Sequence, residues 1–173
     1  MKFKALQMKR HFIVQKTVIG IDPAKQKHQA AVIDEKGLQV GDPFTFKASY
    51  RGYSKELWDK LSKISITIDP SNTVFAIECS CNLWQTLAFY LNKIGYQVLL
   101  VSPLTTRHSR PFLNHDFSKT DPKDALLVAN NARDGYFDYF QDFSQHIHAI
   151  HHLSITYDKL RKDMVKNKQR LRS

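Results

Sequence analysis

Cysteine is nearly absent. The chain has two, Cys79 and Cys81, spaced C-x-C with no second pair. That excludes a disulfide framework and a zinc site of paired thiolates, and reads as reduced thiols in a cytoplasmic protein. No apolar run approaches the ~20 residues a membrane span needs, and the apolar stretches in the basic amino-terminal region are too short for a signal-peptide core. A membrane partner is therefore not expected. Glycine is scarce, at six. Only Gly20 lies near the first apolar run, in Ile19-Gly20-Ile21-Asp22-Pro23, so a glycine-rich phosphate loop is excluded. Actin-like and sugar-kinase arrangements, which place such a turn after an Asp at a strand end, go with it. Acid is missing altogether from residues 1–16.

What is present is a soluble-type composition, 42% hydrophobic and 24% charged, in a chain of 173 residues. This is enough for one ordinary domain with an appendage. The net charge of +10 sits at the ends. Residues 1–16 carry five Lys/Arg and no acid, and residues 156–173 carry seven Lys/Arg against two Asp, while the remainder is balanced. Basic ends on a neutral body fit a polyanionic partner such as DNA or RNA, and equally a solvated tail at each end.

Hydrophobic periodicity predicts strands at 17–22, 28–34, 38–47 (kinked at Gly41-Asp42-Pro43), 73–78 and 96–101. Glu35-Lys36-Gly37 and Asp69-Pro70-Ser71-Asn72 are turns. Helices are predicted over 53–64, with Ser54 as its cap, and over 82–94, closed by Gly95, with Leu83, Leu87, Tyr90, Leu91 and Ile94 inward. Trp58 and Trp84 lie on apolar faces and are read as core. Residues 102–117 read as irregular, basic and aromatic. A last helix starts at Thr120 or Asp121, with Pro122 in its first turn, and runs to about Arg133. The order β-β-β-α-β-α-β-α is an antiparallel meander followed by crossovers. It predicts an α/β fold of the ribonuclease-H-like (RuvC-like) layout, a mixed five-stranded sheet with flanking helices.

From about Gln145 the pattern changes. Ile150, Leu153, Tyr157, Leu160, Met164, Asn167 and Leu171 alternate at spacings of three and four, a heptad seam with Asn167 as its polar member. This predicts a long carboxy-terminal coiled-coil helix that pairs copies of the chain through residues 147–171; the alternative is an amphipathic helix packed back on the domain. His146, His148, His151 and His152 are read as faces of this helix. The expected partition is a basic arm at 1–16, a domain at 17–143 and the start of the coiled coil at 144–173. The seam runs on to Ser173 without a closing element, so more protein is expected to follow.

Four carboxylates carry the chemistry. Asp22 ends the apolar run 17–22 and Glu78 ends the run 73–78. Asp121 and Asp124 lie three apart in Lys119-Thr120-Asp121-Pro122-Lys123-Asp124-Ala125, on one face of a helix. Taken alone, Asp121 is an ordinary helix-start acid. Neither strand end needs an acid to fold, however, and a lone desolvated carboxylate is costly. A shared cation resolves this, and oxygen ligands without His or Cys favour Mg²⁺ or Mn²⁺. Two such ions about 4 Å apart serve phosphodiester cleavage and transfer. Arg107, Arg110, Lys119 and Lys123 surround the acids in sequence and are candidate phosphate ligands.

Gly20-Ile21-Asp22, then Glu78 after its apolar strand, then Lys119-Thr120-Asp121-x-x-Asp124-Ala125 together resemble the DEDD transposases of bacterial insertion sequences. The pilin-gene DNA invertases and the bridge-RNA-guided recombinases belong to that group. The resemblance covers residues 17–135, with the heptad segment where the group has its coiled coil. It implies that Asp22, Glu78, Asp121 and Asp124 are a tetrad holding Mg²⁺ for DNA strand cleavage and exchange. It also implies dimers that assemble into tetramers on DNA and, in guided members, a structured RNA. In the group the attacking serine belongs to a carboxy-terminal domain, which residues 1–173 do not include. Two other readings stay open: a free-standing RuvC-like nuclease using metal-activated water, and a non-catalytic nucleic-acid-binding module.

Overall fold

The structure, a computed structural model, describes residues 2–114, 121–142 and 145–170, with side chains described except at 2, 112–114, 121–122 and 145–152. Two units result, Met1–Phe140 and Gln141–Ser173.

The first unit is built on a six-stranded mixed sheet. In chain order it contains α1 (Lys2–Ile13), β1 (Thr17–Asp22), β2 (Lys27–Ile33), β3 (Phe44–Lys47), a π-helical stretch Gly52–Glu56 running into α2 (Leu57–Leu61), β4 (Thr73–Glu78), α3 (Gln85–Lys93), β5 (Gln97–Val101), α4 (Pro103–Asn114), α5 (Asp121–Arg133) and β6 (Asp138–Tyr139). The sheet order is β3-β2-β1-β4-β5-β6. The meander β1-β2-β3 is antiparallel, β1, β4 and β5 are parallel, and β6 returns antiparallel to β5.

Side-chain alternation along the central strands divides the core. Ile19, Ile21, Phe75, Ile77 and Val98 face a layer formed by Leu57, Leu61, Leu87, Ala88 and Leu91, with Trp58 and Trp84 packed partly buried against it. Val18, Val74, Ala76, Leu99 and Val101 face the other way, onto Val128, Ala129 and Ala132 of α5. The α5 positions recur at helical spacing, so one stripe of that helix lies on the sheet. Gly20 belongs to this second face. A Cβ there would lie 2.6 Å from the Ala129 backbone nitrogen and 2.8 Å from the Ala129 Cβ, with the Ala125 carbonyl oxygen closer still. The missing side chain is what lets α5 rest on β1.

Several expectations are corrected. The sheet has six strands, not five, because β6 is two residues long, too short to leave a periodic signature. The third strand is confined to Phe44–Lys47, with one isolated bridge from Gln39 to Ile33 before it. Residues 103–114 are helix α4 rather than irregular. Pro111 masked it, whereas Ser102-Pro103 is an ordinary start, with Ser102 Oγ accepting the Leu104 amide at 3.3 Å. Ser54 lies inside the π-helical stretch Gly52–Glu56 and not at a helix start, and it is Ser49 Oγ that accepts the Gly52 amide. Leu83 and Ile94 are exposed rather than inward. Gly95 closes α3 as expected, at φ +93°, with the Tyr96 amide bonded back to Leu91.

Residues 1–16, expected as an arm, contain α1. Its Ile13 is fully buried with the α5 face of the core. Lys9 Nζ donates to the Phe137 carbonyl and, at 2.9 Å, to Asp138, while Arg10 Nε reaches the Asp134 carbonyl at 2.9 Å.

The second unit contains α6 (Gln145–Arg170). From 153 to 170 every residue is exposed, including Leu153, Tyr157, Leu160 and Met164 of the predicted seam. The side chain of Ile150 and all of Leu171 lie outside the described residues, as do the side chains of His146, His148, His151 and His152. No helix among the described residues is long and apolar enough to cross a membrane.

Candidate metal centre

Asp22 and Glu78 are the last residues of two adjacent parallel strands. The register pairs Ile21 with Ile77, which brings the two acids side by side one step later. Counting by twos from Val18 and Gly20, and from Val74 and Ala76, puts both on the sheet face that α5 covers. Each is half-buried. Asp124 lies in the first turn of α5, next to the Ala125 that meets Gly20, and is 3% exposed. The sequence therefore directs three acids toward one edge of the sheet, on its α5 side.

Among the described residues no three His, Cys, Asp or Glu side chains form a metal-ligand cluster. Asp124 is paired with Arg110 of α4. Its Nη2 donates to Asp124 Oδ1 at 2.7 Å and its Nε to the same oxygen at 3.2 Å. A buried carboxylate needs a positive partner, and the guanidinium supplies it. Asp121 begins α5, but its side chain lies outside the described residues, as does all of Lys119. Arg107 is exposed and Lys123 half-buried. Arg107, His108, Arg110 and Pro111 line an open cleft of about 710 Å³ along α4. The donor set of Asp22, Glu78 and Asp124 is all hard oxygen, and the one buried member already demands a cation, so these residues fit Mg²⁺ in chemistry.

Sequence reasoning missed two features beside the acids. One is the Arg110–Asp124 pair, which spans fourteen residues and has no periodic signature. The other is His28, read only as a strand residue. Its side chain is fully buried, Nδ1 accepts the Ala24 amide at 3.1 Å, and Nε2 lies 3.2 Å from Tyr53 Oη. Burial lowers its pKa to about 4. The folded protein thus keeps His28 neutral while the unfolded chain binds a proton below about 6.5. Stability contributed by neutral His28 is present above pH 6.5 and is lost as the pH falls toward 4. Urea unfolding at pH 7, 6 and 5 should show a loss of about 2 kcal/mol by pH 5, from one proton at about 1.4 kcal/mol per pH unit. The loss should be absent when His28 is replaced by Asn. The same slope in that variant would assign the effect to other groups.

The family of DEDD transposases of the IS110 type, described as "Transposase", matches residues 19–173. Among curated proteins none matches. Among solved structures, the chain is similar to Thermus thermophilus RuvC in complex with a Holliday junction substrate, at 15% identity and TM-score 0.47, covering 72% of this chain and 99% of that one. A second Thermus thermophilus RuvC structure is similar at 15% identity and TM-score 0.45, with the same coverage. With its match running from the first strand to the last residue of the sequence, the chain belongs to the DEDD transposase family.

Proposed function

We propose that this chain supplies the metal-binding catalytic part of a transposase, acting in DNA strand cleavage and exchange. In this reading residues 17–143 are the catalytic domain, Asp22, Glu78, Asp121 and Asp124 hold Mg²⁺ or Mn²⁺, and Arg107, Arg110, Lys119 and Lys123 take DNA phosphates. Residues 147–171 pair two copies as a coiled coil, and the basic stretches 1–16 and 156–173 add charge for DNA and for a structured RNA where one is used. The family fixes the coarse reading, a DNA-acting transposase. The observation that supports the finer one is the register of β1 and β4, which sets Asp22 beside Glu78 on the sheet face that α5 covers with Asp124.

The work of the chain's own residues follows from that arrangement. Asp22 and Glu78, held by two parallel strands, are a rigid pair of oxygen donors. Asp124 adds a third from a helix seated against Gly20. The arginines on α4 neutralise and orient the phosphate backbone. When bound, the metal polarises the scissile phosphodiester and lowers the pKa of the attacking hydroxyl.

Calorimetric titration with Mg²⁺ or Mn²⁺ on the wild type and on Asp22→Asn tests this. Charge supplies most of the affinity of a carboxylate site, so the neutral variant should bind at least about tenfold more weakly while keeping its far-ultraviolet circular dichroism. Equal binding, or none, in both proteins overturns the tetrad. A plasmid assay on the same samples reads the reaction type. Metal-dependent nicking by residues 1–173 alone would mean metal-activated water attacks without another domain, as in a free-standing nuclease.

A further inference from the structure

We propose that the hydrogen-bond network His28–Tyr53–Thr86, which runs from a buried ring to an exposed threonine, is a positioning device for the strand-end acids, fastening the segment after Asp22 to the helix after Glu78. The inference rests on the metal-site reading above, but none of the three residues belongs to the tetrad.

The network begins at the turn that leaves β1. Asp22 is followed by Pro23, which has no amide hydrogen, and then by Ala24. The Ala24 amide donates to His28 Nδ1 at 3.1 Å. With that nitrogen accepting, Nε2 of the neutral ring carries the proton. It donates to Tyr53 Oη at 3.2 Å, and the Tyr53 and Thr86 hydroxyls share a further hydrogen bond, also at 3.2 Å. Thr86 is the second residue of α3, the helix that follows β4 and Glu78. Two segments that share no backbone hydrogen bond in this region, one leaving each acid-bearing strand, are thus joined through side chains of β2 and the π-helical stretch.

The ring has little freedom to do anything else. Its side chain is fully buried, it stacks on Tyr53 with centroids 5.6 Å apart and planes 18° apart, and Phe46 meets it edge-on at 5.3 Å. Tyr53 itself sits in the π-helical stretch Gly52–Glu56. Such a stretch departs from regular helical bonding and is frequent at functional sites. Here it sets the Tyr53 hydroxyl between His28 and Thr86. Groups hydrogen-bonded directly to metal ligands are commonly worth about 10- to 100-fold in metal affinity. This network acts one step further out, through the backbone after Asp22 and the helix after Glu78, so the lower end is expected.

Three substitutions separate positioning from packing. Tyr53→Phe keeps the ring and deletes both hydroxyl contacts. His28→Leu and His28→Asn both remove the imidazole, but Asn keeps an acceptor near the place of Nδ1 for the Ala24 amide. Mg²⁺ titration by calorimetry is the readout, with thermal unfolding on the same samples. Binding about tenfold weaker in all three variants is the expected result, because Asn holds the Ala24 amide but is too short to reach Tyr53 Oη. Wild-type affinity in Tyr53→Phe, which keeps the ring's packing and cuts the link, overturns the proposal, and so does wild-type affinity in His28→Asn, which would mean that the Ala24 contact alone suffices. Asp22→Asn is the control. If it binds Mg²⁺ as the wild type does, the metal-site reading fails and this inference with it. If Asp22→Asn loses binding while the network variants keep it, only the inference fails.

Discussion

Gly20→Ala should lower the unfolding free energy by about 3 kcal/mol, the upper end of what overpacking a core usually costs. The new methyl group would meet the Ala129 nitrogen at 2.6 Å, the Ala129 Cβ at 2.8 Å and, closer still, the Ala125 carbonyl oxygen. Two of these are backbone atoms of α5, so no side-chain rotation relieves the clash and the helix must lift from the sheet. That helix carries the buried Val128, Ala129 and Ala132 stripe, whose contacts weaken together as it moves. Ala is the better strand residue by roughly 0.5–1 kcal/mol when space allows, which makes a net loss the more telling. Urea denaturation of the two proteins measures the difference. A change under about 0.5 kcal/mol would show that α5 is not pressed onto β1. The same displacement carries Asp124 away from Asp22, so Mg²⁺ affinity should fall with stability.

Much of this was readable before any coordinates. The apolar runs ending in Asp22 and Glu78 become β1 and β4, which lie as parallel neighbours in the sheet. Gly95 and Pro122 mark the end of α3 and the start of α5 because each acts locally, through φ or a missing amide. The features that were hidden act over distance. Nothing periodic links Arg110 to Asp124, or His28 to Tyr53 and Thr86, twenty-five and fifty-eight residues away in sequence. Gly20 was noticed for the glycine-rich loop it fails to make. Its use, as a seat for a helix more than a hundred residues downstream, depends on which face of β1 is covered. Helix α4 was lost to Pro111, since a proline late in a basic, aromatic stretch reads as irregular when the start signal at Ser102-Pro103 is not weighed against it. The acids were legible because a carboxylate at the end of an apolar strand conflicts with local folding preference, and such conflicts mark sites.

Removing the guanidinium from Asp124 should be as damaging as crowding Gly20. Arg110→Ala leaves a carboxylate that is 3% exposed without the donors that meet its Oδ1 at 2.7 and 3.2 Å. Breaking a buried pair from one side costs about 3–5 kcal/mol, because the remaining charge stays desolvated and uncompensated. The side chain of Arg110 is 26% exposed, so water replaces part of the lost interaction and about 3 kcal/mol is expected, measured by urea unfolding in a chelator. Asp124→Asn should cost less, about 1 kcal/mol, the ordinary worth of a hydrogen bond. It removes the buried charge itself and leaves the arginine, which already reaches solvent, free to rehydrate. The asymmetry is the test. Equal losses from the two sides would mean that Asp124 is solvated in solution, and a larger loss from Asp124→Asn would place the desolvated charge on Arg110 instead. Mg²⁺ discriminates further. If Asp124 belongs to the metal site, saturating Mg²⁺ should restore much of the stability of Arg110→Ala, because a second cation then takes up the charge that the guanidinium held. It should restore little in Asp124→Asn, where no unpaired buried charge is left at that position and the site has lost one of its donors. Recovery of both variants alike would assign the added stability to a cation bound away from Asp124.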